Sequence, residues 1–194
     1  MKKIISLTAA ALLLYVLPTF AGTYEVDKGH SRVGFSIKHM VITNVVGNFT
    51  DFSGTFEFDE TAQTLKSIDA KIKSASINTD IEKRDNHLRS PDFFDVEKFP
   101  DIVFTMKSSK GSGEDITVTG DLTIHGVTKS VTLKGEFGGT VKDPWGKTRA
   151  GFSASGAINR SDFGLTWNKA LETGGLVVGD KVKLVLEIEG ILTK

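Results

Sequence analysis

Cysteine is absent from all 194 residues. That excludes disulfides, thiolate nucleophiles and thiolate metal ligands together, so stability must come from a core or a sheet. Proline is scarce, with four in the chain, and Pro18, Pro91, Pro100 and Pro144 all fall outside alternating stretches. No sign of charge dominates: 24 basic residues face 24 acidic ones. Basic runs are missing too, which argues against nucleic acid as a partner. Beyond residue 21 no apolar run is long enough to cross a bilayer as a helix.

The one sustained apolar run comes first. Lys2 and Lys3 precede Ile4 to Val16, and Pro18-Thr19-Phe20-Ala21 ends on a small residue. This is the pattern of a secretory signal peptide, with cleavage expected after Ala21. The absence of Cys excludes a lipoprotein anchor. Residues 1–21 are thus read as leader and 22–194 as one domain, with the periplasm as destination. Loss of Lys2 and Lys3 would leave a slight acidic excess.

Period two dominates the rest. Val33, Phe35 and Ile37 alternate with Arg32, Ser36 and Lys38. Phe52, Gly54, Phe56 and Phe58 share one face, as do Ile68, Ala70 and Ile72, and Ile102, Phe104 and Met106. Ile116, Val118, Gly120, Leu122 and Ile124 form the longest such face. Val131 to Phe137, Ala150 to Ile158 and Val182 to Ile188 complete the set. One wet and one dry face per strand predicts an antiparallel sheet. Gly and Ala among large residues on the dry faces suit a closed barrel, where inward side chains crowd. The fold class expected is all-β: an antiparallel barrel of about eight strands, with a two-sheet sandwich as the rival. Turns are expected at Lys110 to Gly113, at His125-Gly126 and at Asp143 to Gly146.

One stretch breaks the alternation. Thr79-Asp80-Ile81-Glu82 spells a capping box, predicting a helix from about residue 80. Ser90-Pro91-Asp92 reads as a second helix start, and Phe99-Pro100 as its stop. A short helical excursion near residues 80–98 therefore interrupts the strands. Phe93-Phe94 on this excursion suggests a mouth or lid over an apolar interior.

Catalytic and metal motifs are thin. His30, His39, His87 and His125 form neither HxH nor HxxxH. Gly151 to Gly156 nearly spells a nucleophile elbow, yet sits in an alternating strand. Asp85 and His87 are two apart on a helix and do not face each other; Arg84 or Asp85 tying the helix to the barrel rim is the better account. Twelve of the 13 phenylalanines follow the leader, and an eight-stranded barrel is either filled by its side chains or holds one small ligand.

Several ordered motifs resemble the YceI-like family of bacterial periplasmic proteins. They include Tyr24 to Asp27 with His30-Ser31, Val33 to His39, and Gly47-Asn48-Phe49. Arg84 to Leu88, Ser90 to Asp95, Gly120 to Lys129, Asp143 to Gly146 and Asn159 to Gly164 continue them. The resemblance implies a lipocalin-like barrel with an elongated apolar pocket for a long amphiphile. The amphiphile would be a polyisoprenoid, such as a polyprenyl phosphate or quinone-type tail, or a fatty-acid-like lipid. It implies no catalysis and no cofactor, a link to stress in some members, and a functional link to b561-type cytochromes. Under it, Phe35, Ile37, Phe56, Ile72, Phe104, Leu122 and Phe152 are expected in the pocket, with Phe93, Phe94, Phe163 and Trp167 near an opening. Arg84, Asp85, His87 and Arg160 are the polar candidates at the mouth. An enzyme acting on such a lipid and a structural protein with a filled barrel are the competing readings. Exposed loop aromatics such as Trp145 leave room for a homodimer.

Overall fold

The computed structural model describes residues 21–172 and 174–194. The leader expected over residues 1–21 lies outside the described residues, except for Ala21. Among the described residues eleven β segments follow one another. They are β1 (Gly22–Val26), β2 (Arg32–His39), β3 (Thr43–Phe49), β4 (Phe52–Asp59), β5 (Thr64–Lys73) and β6 (Ile77–Asn78), then β7 (Asp101–Ser112), β8 (Asp115–Ile124), β9 (Val127–Lys142), β10 (Thr148–Asn159) and β11 (Val178–Leu192). An α-helix, α1 (Glu82–Arg89), separates β6 from β7.

Three pairs of segments are single strands broken by a kink. β1 and β2 both lie along β11, with Tyr24 opposite Leu192 and Phe35 opposite Leu184. β4 and β3 lie along β1 and β2, with Phe56 opposite Tyr24 and Gly47 opposite Phe35. β5 and β6 continue the series, with Ile72 opposite Phe52 and Ile77 opposite Phe49. The segments therefore amount to eight up-and-down antiparallel strands, and the β1–β11 pairing closes the cylinder. Closure leaves few unpaired strand edges. The barrel is the fold the alternation predicts, and the sandwich is excluded.

Closure also explains the small inward residues. A Cβ on Gly120 would sit 2.5 Å from Phe104 Cζ and 2.6 Å from the Thr105 carbonyl. The glycine makes room for the ring on the neighbouring strand. Register shifts in the β4–β5, β7–β8 and β9–β10 ladders bend the wall. The β8–β9 turn is the tight one expected: His125 and Gly126 both take positive φ, 51° and 75°.

The two ends of the barrel differ. At one end Tyr24, Phe56, Phe58, Phe137 and Phe152 form a continuous aromatic plug, with ring centroids 4.6–5.3 Å apart. Tyr24 and Phe58 are fully buried. The Tyr24 hydroxyl donates to Glu60, and burial pushes its ionisation well above the ordinary tyrosine range. At the other end, α1 and the segment after β10 fold across the opening.

The excursion itself departs from expectation. α1 begins at Glu82, and its cap residue Ile81 makes no side-chain bond. Asp85, not Glu82, reaches back, accepting from both the Thr79 amide and the Thr79 hydroxyl. The box is closed one turn further along, because burial of Asp85 at 5 % exposure demands satisfied oxygens. Ser90 starts no second helix. It ends α1, and its carbonyl and hydroxyl hold a turn through Phe93 and Asp92.

Candidate functional site

A cavity of about 450 Å³ lies between the plug and the cap, within the usual range for small-molecule pockets. Its wall is nearly wholly apolar. Period two builds it, since each strand sends every second side chain inward. Phe35 and Ile37 come from β2, Phe56 from β4, Ile72 from β5, Phe104 from β7, Leu122 from β8 and Phe152 from β10; all border the cavity. Phe56 and Phe152 also belong to the plug and so form its floor.

The cap borders the other end. Phe93 and Phe94 line the cavity, and neither stands free in solvent. Phe93 is 6 % exposed and packs against Trp167, with centroids 5.2 Å apart. Phe94 meets Phe49 edge-on at 5.9 Å. His87 stands edge-on to both Phe93 and Trp167, at 5.1 and 4.8 Å. This joins α1 to the loop after β10. Arg84, His87, Arg160 and Trp167 border the cavity as well.

Two of the expected site residues do not. Phe163 is 1 % exposed and belongs to the packed core, at the end of the short 3-10 turn Arg160–Phe163. Asp85 turns under α1 toward Thr79 and takes no part in the cavity wall.

The polar groups of the cap serve structure first. Arg84 donates through Nε to Thr79 Oγ1 and through Nη2 to the Thr79 carbonyl, both at 2.7 Å. Arg160 donates to the carbonyls of Gly179 and Leu165, and burial lowers its affinity for a proton. His87 pairs with Asp92 at 2.9 Å, not with Asp85. Ser153 donates to Glu136 across the wall of an ordinary strand, with no elbow geometry. The Ser90 hydroxyl beside the His87–Asp92 pair donates to the His87 carbonyl and not to its ring, so the three do not have the arrangement of a catalytic triad.

Several cavity residues carry no periodic signal. Leu165, Val177 and Thr79 border it from irregular segments, where neither period two nor 3.6 applies. His39, which shares the parity of Phe35 and Ile37, lines it from the end of β2, and Val45 lines it from β3. Parity could have found Val45, but outward apolar residues such as Val46, 55 % exposed, blur the alternation of β3. Arg89 is a further fastening residue the sequence does not mark; it donates to the carbonyls of Ala75 and Ile77 at 2.7 and 2.8 Å.

At the plugged end, Asp27, His30 and Glu189 cluster closely enough to suggest metal ligands. Arg149 already fills that role, ion-pairing with Asp27, Asp143 and Glu189. His30 and Arg149 hold the Asp27 carboxyl down at about 2.

An up-and-down antiparallel cylinder, plugged at one end, capped at the other and hollow between, defines the lipocalin-like class of barrels. Within that class, the YceI-like domain matches residues 24–190, and the chain belongs to the YceI-like family. It is 41 % identical over 195 aligned residues to the UPF0312 protein plu2095 of Photorhabdus laumondii, covering 100 % of this chain and 98 % of that one. Among solved structures it resembles the Campylobacter jejuni YceI protein, at 44 % identity and a TM-score of 0.71, covering 87 % of this chain and 96 % of the other. A polyisoprenoid binding domain from Saccharophagus degradans, described as implicated in plant cell wall breakdown, shares the fold at 18 % identity and a TM-score of 0.63. That match covers 88 % of this chain and 98 % of the domain.

Proposed function

We propose that the protein is a periplasmic carrier for a long-chain amphiphile, most simply a polyisoprenoid, whose tail lies in the barrel. The observation that carries this reading is the apolar cavity of about 450 Å³ between the aromatic floor and the α1 cap. A filled barrel, the structural alternative, would leave no such space. Burying an isoprenoid tail there would supply about 25 cal/mol per Å² of apolar surface before ordering costs. Membership of a family of generally periplasmic proteins and the leader-like residues 1–21 support the compartment, with 22–194 as the mature domain. The relation of the fold to a polyisoprenoid binding domain supports the ligand class.

Binding rather than catalysis is the simpler use of this site. Its lining is mostly apolar, and Arg84, His87 and Arg160 are engaged in holding the cap. A homodimer and a b561-type cytochrome partner rest on the family resemblance and on exposed Trp145, and the carrier reading does not need them.

The test is extraction. Protein expressed with its leader and purified from the exported fraction should yield a long-chain lipid to organic solvent, identified by mass spectrometry. Recovery of no lipid, together with no binding of added prenyl alcohol, prenyl phosphate or quinone, would sink the proposal.

A further inference from the structure

The rim of the barrel carries an apolar surface that the core does not use. β2 and β3 are joined through Met40, Val41 and Ile42. All three are exposed, Val41 by 67 % and Ile42 by 81 %. Met40 and Val41 both take positive φ, 47° and 66°. Turn positions of that kind favour Asn and Gly, and a β-branched residue there is strained. A tip that is both strained and apolar in water is unfavourable for the chain by itself.

The tip stands at the capped end. His39, the last residue of β2, borders the cavity together with Val177 and Val178. The Met40 amide donates to the Val177 carbonyl at 2.8 Å. A Cβ on Gly175 would lie 3.6 Å from Val41 Cγ2. The segment after β10 is thereby held beside the tip, and it adds the exposed Leu176, which bridges to Ala170. Two loops thus form one apolar knob at the mouth.

Behind the knob comes a collar of lysines. Lys38 lies beside Gly179, whose Cβ would stand 3.1 Å from its own. Lys183 is opposite Ser36, two residues before Lys38, and Lys181 shares the outward face of β11 with it. Lys169 accepts the Val177 amide through its carbonyl. All four lysines are exposed, and none makes an ion pair among the described residues. Of the carboxylates on these segments, Asp180 accepts from Ser161 and Asp162 from Asn159; Glu172 is the third. Lys38 stands about 10 Å behind Val41, at about 3.4 Å per residue.

We infer that the knob docks into the surface of an anionic lipid bilayer, with the lysine collar on the lipid phosphates and the barrel mouth toward the membrane. Interfacial anchors combine these two parts: an apolar face sunk about 5–10 Å, and basic side chains at head-group level. Long lysine stems reach the phosphates while the tip is buried. A second protein suits the surface less. Lysine is depleted at protein interfaces, and a hairpin tip with Leu176 falls far short of the roughly 20–30 residues a side of a stable one. Docking stands without the carrier reading; only the passage of a tail from bilayer to cavity rests on it.

Co-sedimentation with vesicles tests the inference, using protein purified from the exported fraction and freed of lipid. The wild type should bind vesicles of equal phosphatidylethanolamine and phosphatidylglycerol, and bind phosphatidylcholine vesicles about tenfold or more weakly. Ile42→Asp should weaken binding to the anionic vesicles about tenfold or more, the range for burying one aliphatic side chain. Lys38→Gln and Lys183→Gln should each weaken it about fivefold and leave the phosphatidylcholine level unchanged. These side chains are exposed, so circular dichroism and urea midpoints should match the wild type. Failure of the wild type to bind either vesicle would overturn the docking. Ile42→Asp binding as tightly as the wild type would overturn insertion of the tip, and equal binding to both compositions would overturn the collar. A dimer in sedimentation velocity that Ile42→Asp abolishes, with no vesicle binding, would assign the knob to a second copy of the chain. Lipid extraction reads the carrier separately, so failure of the one is distinguishable from failure of the other.

Discussion

Individual residues test whether the space inside the barrel is used. Gly120 and Ala154 both stand on dry faces, but only one makes a clean probe. A side chain on Gly120 would meet Phe104 and the Thr105 carbonyl, so Gly120→Leu would damage the fold itself. Ala154 borders the cavity directly. Ala154→Leu should project into the cavity, cost no more than about 1–3 kcal/mol of stability, and weaken prenyl-chain binding by tenfold or more. Unchanged affinity by equilibrium dialysis would show that the tail lies elsewhere. At the floor, the buried Tyr24 donates to Glu60. Tyr24→Phe should cost about 1.5–3 kcal/mol in urea unfolding, the range for a bond to a charged partner, and should leave tail binding in place.

At the scale of elements, the cap is the part that must open to admit a tail. α1 has eight residues, too few to be stable alone, so its position depends on tertiary fastening. Arg89 supplies two bonds of that fastening, to Ala75 and Ile77. Arg89→Ala should speed amide exchange over residues 79–95 and raise the release rate of bound lipid several-fold. The barrel strands should keep their protection. Uniform loss of protection in β7 to β10 would instead mark Arg89 as a determinant of the whole fold. The strands were legible because one face of each is wet, as β8 shows over its full length. The cap was legible only in outline. Its composition announces a helix, but the choice of Asp85 over Glu82 as the capping acid depends on which side chain the barrel rim buries.

For the whole molecule, the closure of β1 on β11 carries an electrostatic clasp. Arg149 of β10 binds Asp27, just after β1, and Glu189 of β11. His30 and Arg149 lower the Asp27 ionisation from 3.8 to about 2. A depressed carboxyl contributes stability above its unfolded value and loses it as pH falls toward the folded value. The clasp should therefore contribute fully above about pH 4 and fade between there and pH 2. Urea midpoints of the wild type should fall across that window, and Asp27→Asn should flatten the fall. An identical slope in the variant would place the acid sensitivity in other carboxylates.

The sequence by itself determined the barrel and most of its lining. Alternation is a local property: once a residue's parity is known, so is the face it takes, and Phe35, Phe56, Phe104, Leu122 and Phe152 needed nothing further. It also determined that residues 80–98 would leave the sheet. What only the tertiary structure decided is where long-range partners meet. Phe163, expected near an opening, is buried in the packed core at the end of a 3-10 turn. His87 finds Asp92 and Trp167 in place of Asp85. The clasp joins residues 122 and 40 positions from Arg149. No spacing rule encodes such meetings, because they arise only when eight strands close and bring β1 and β11 to one seam.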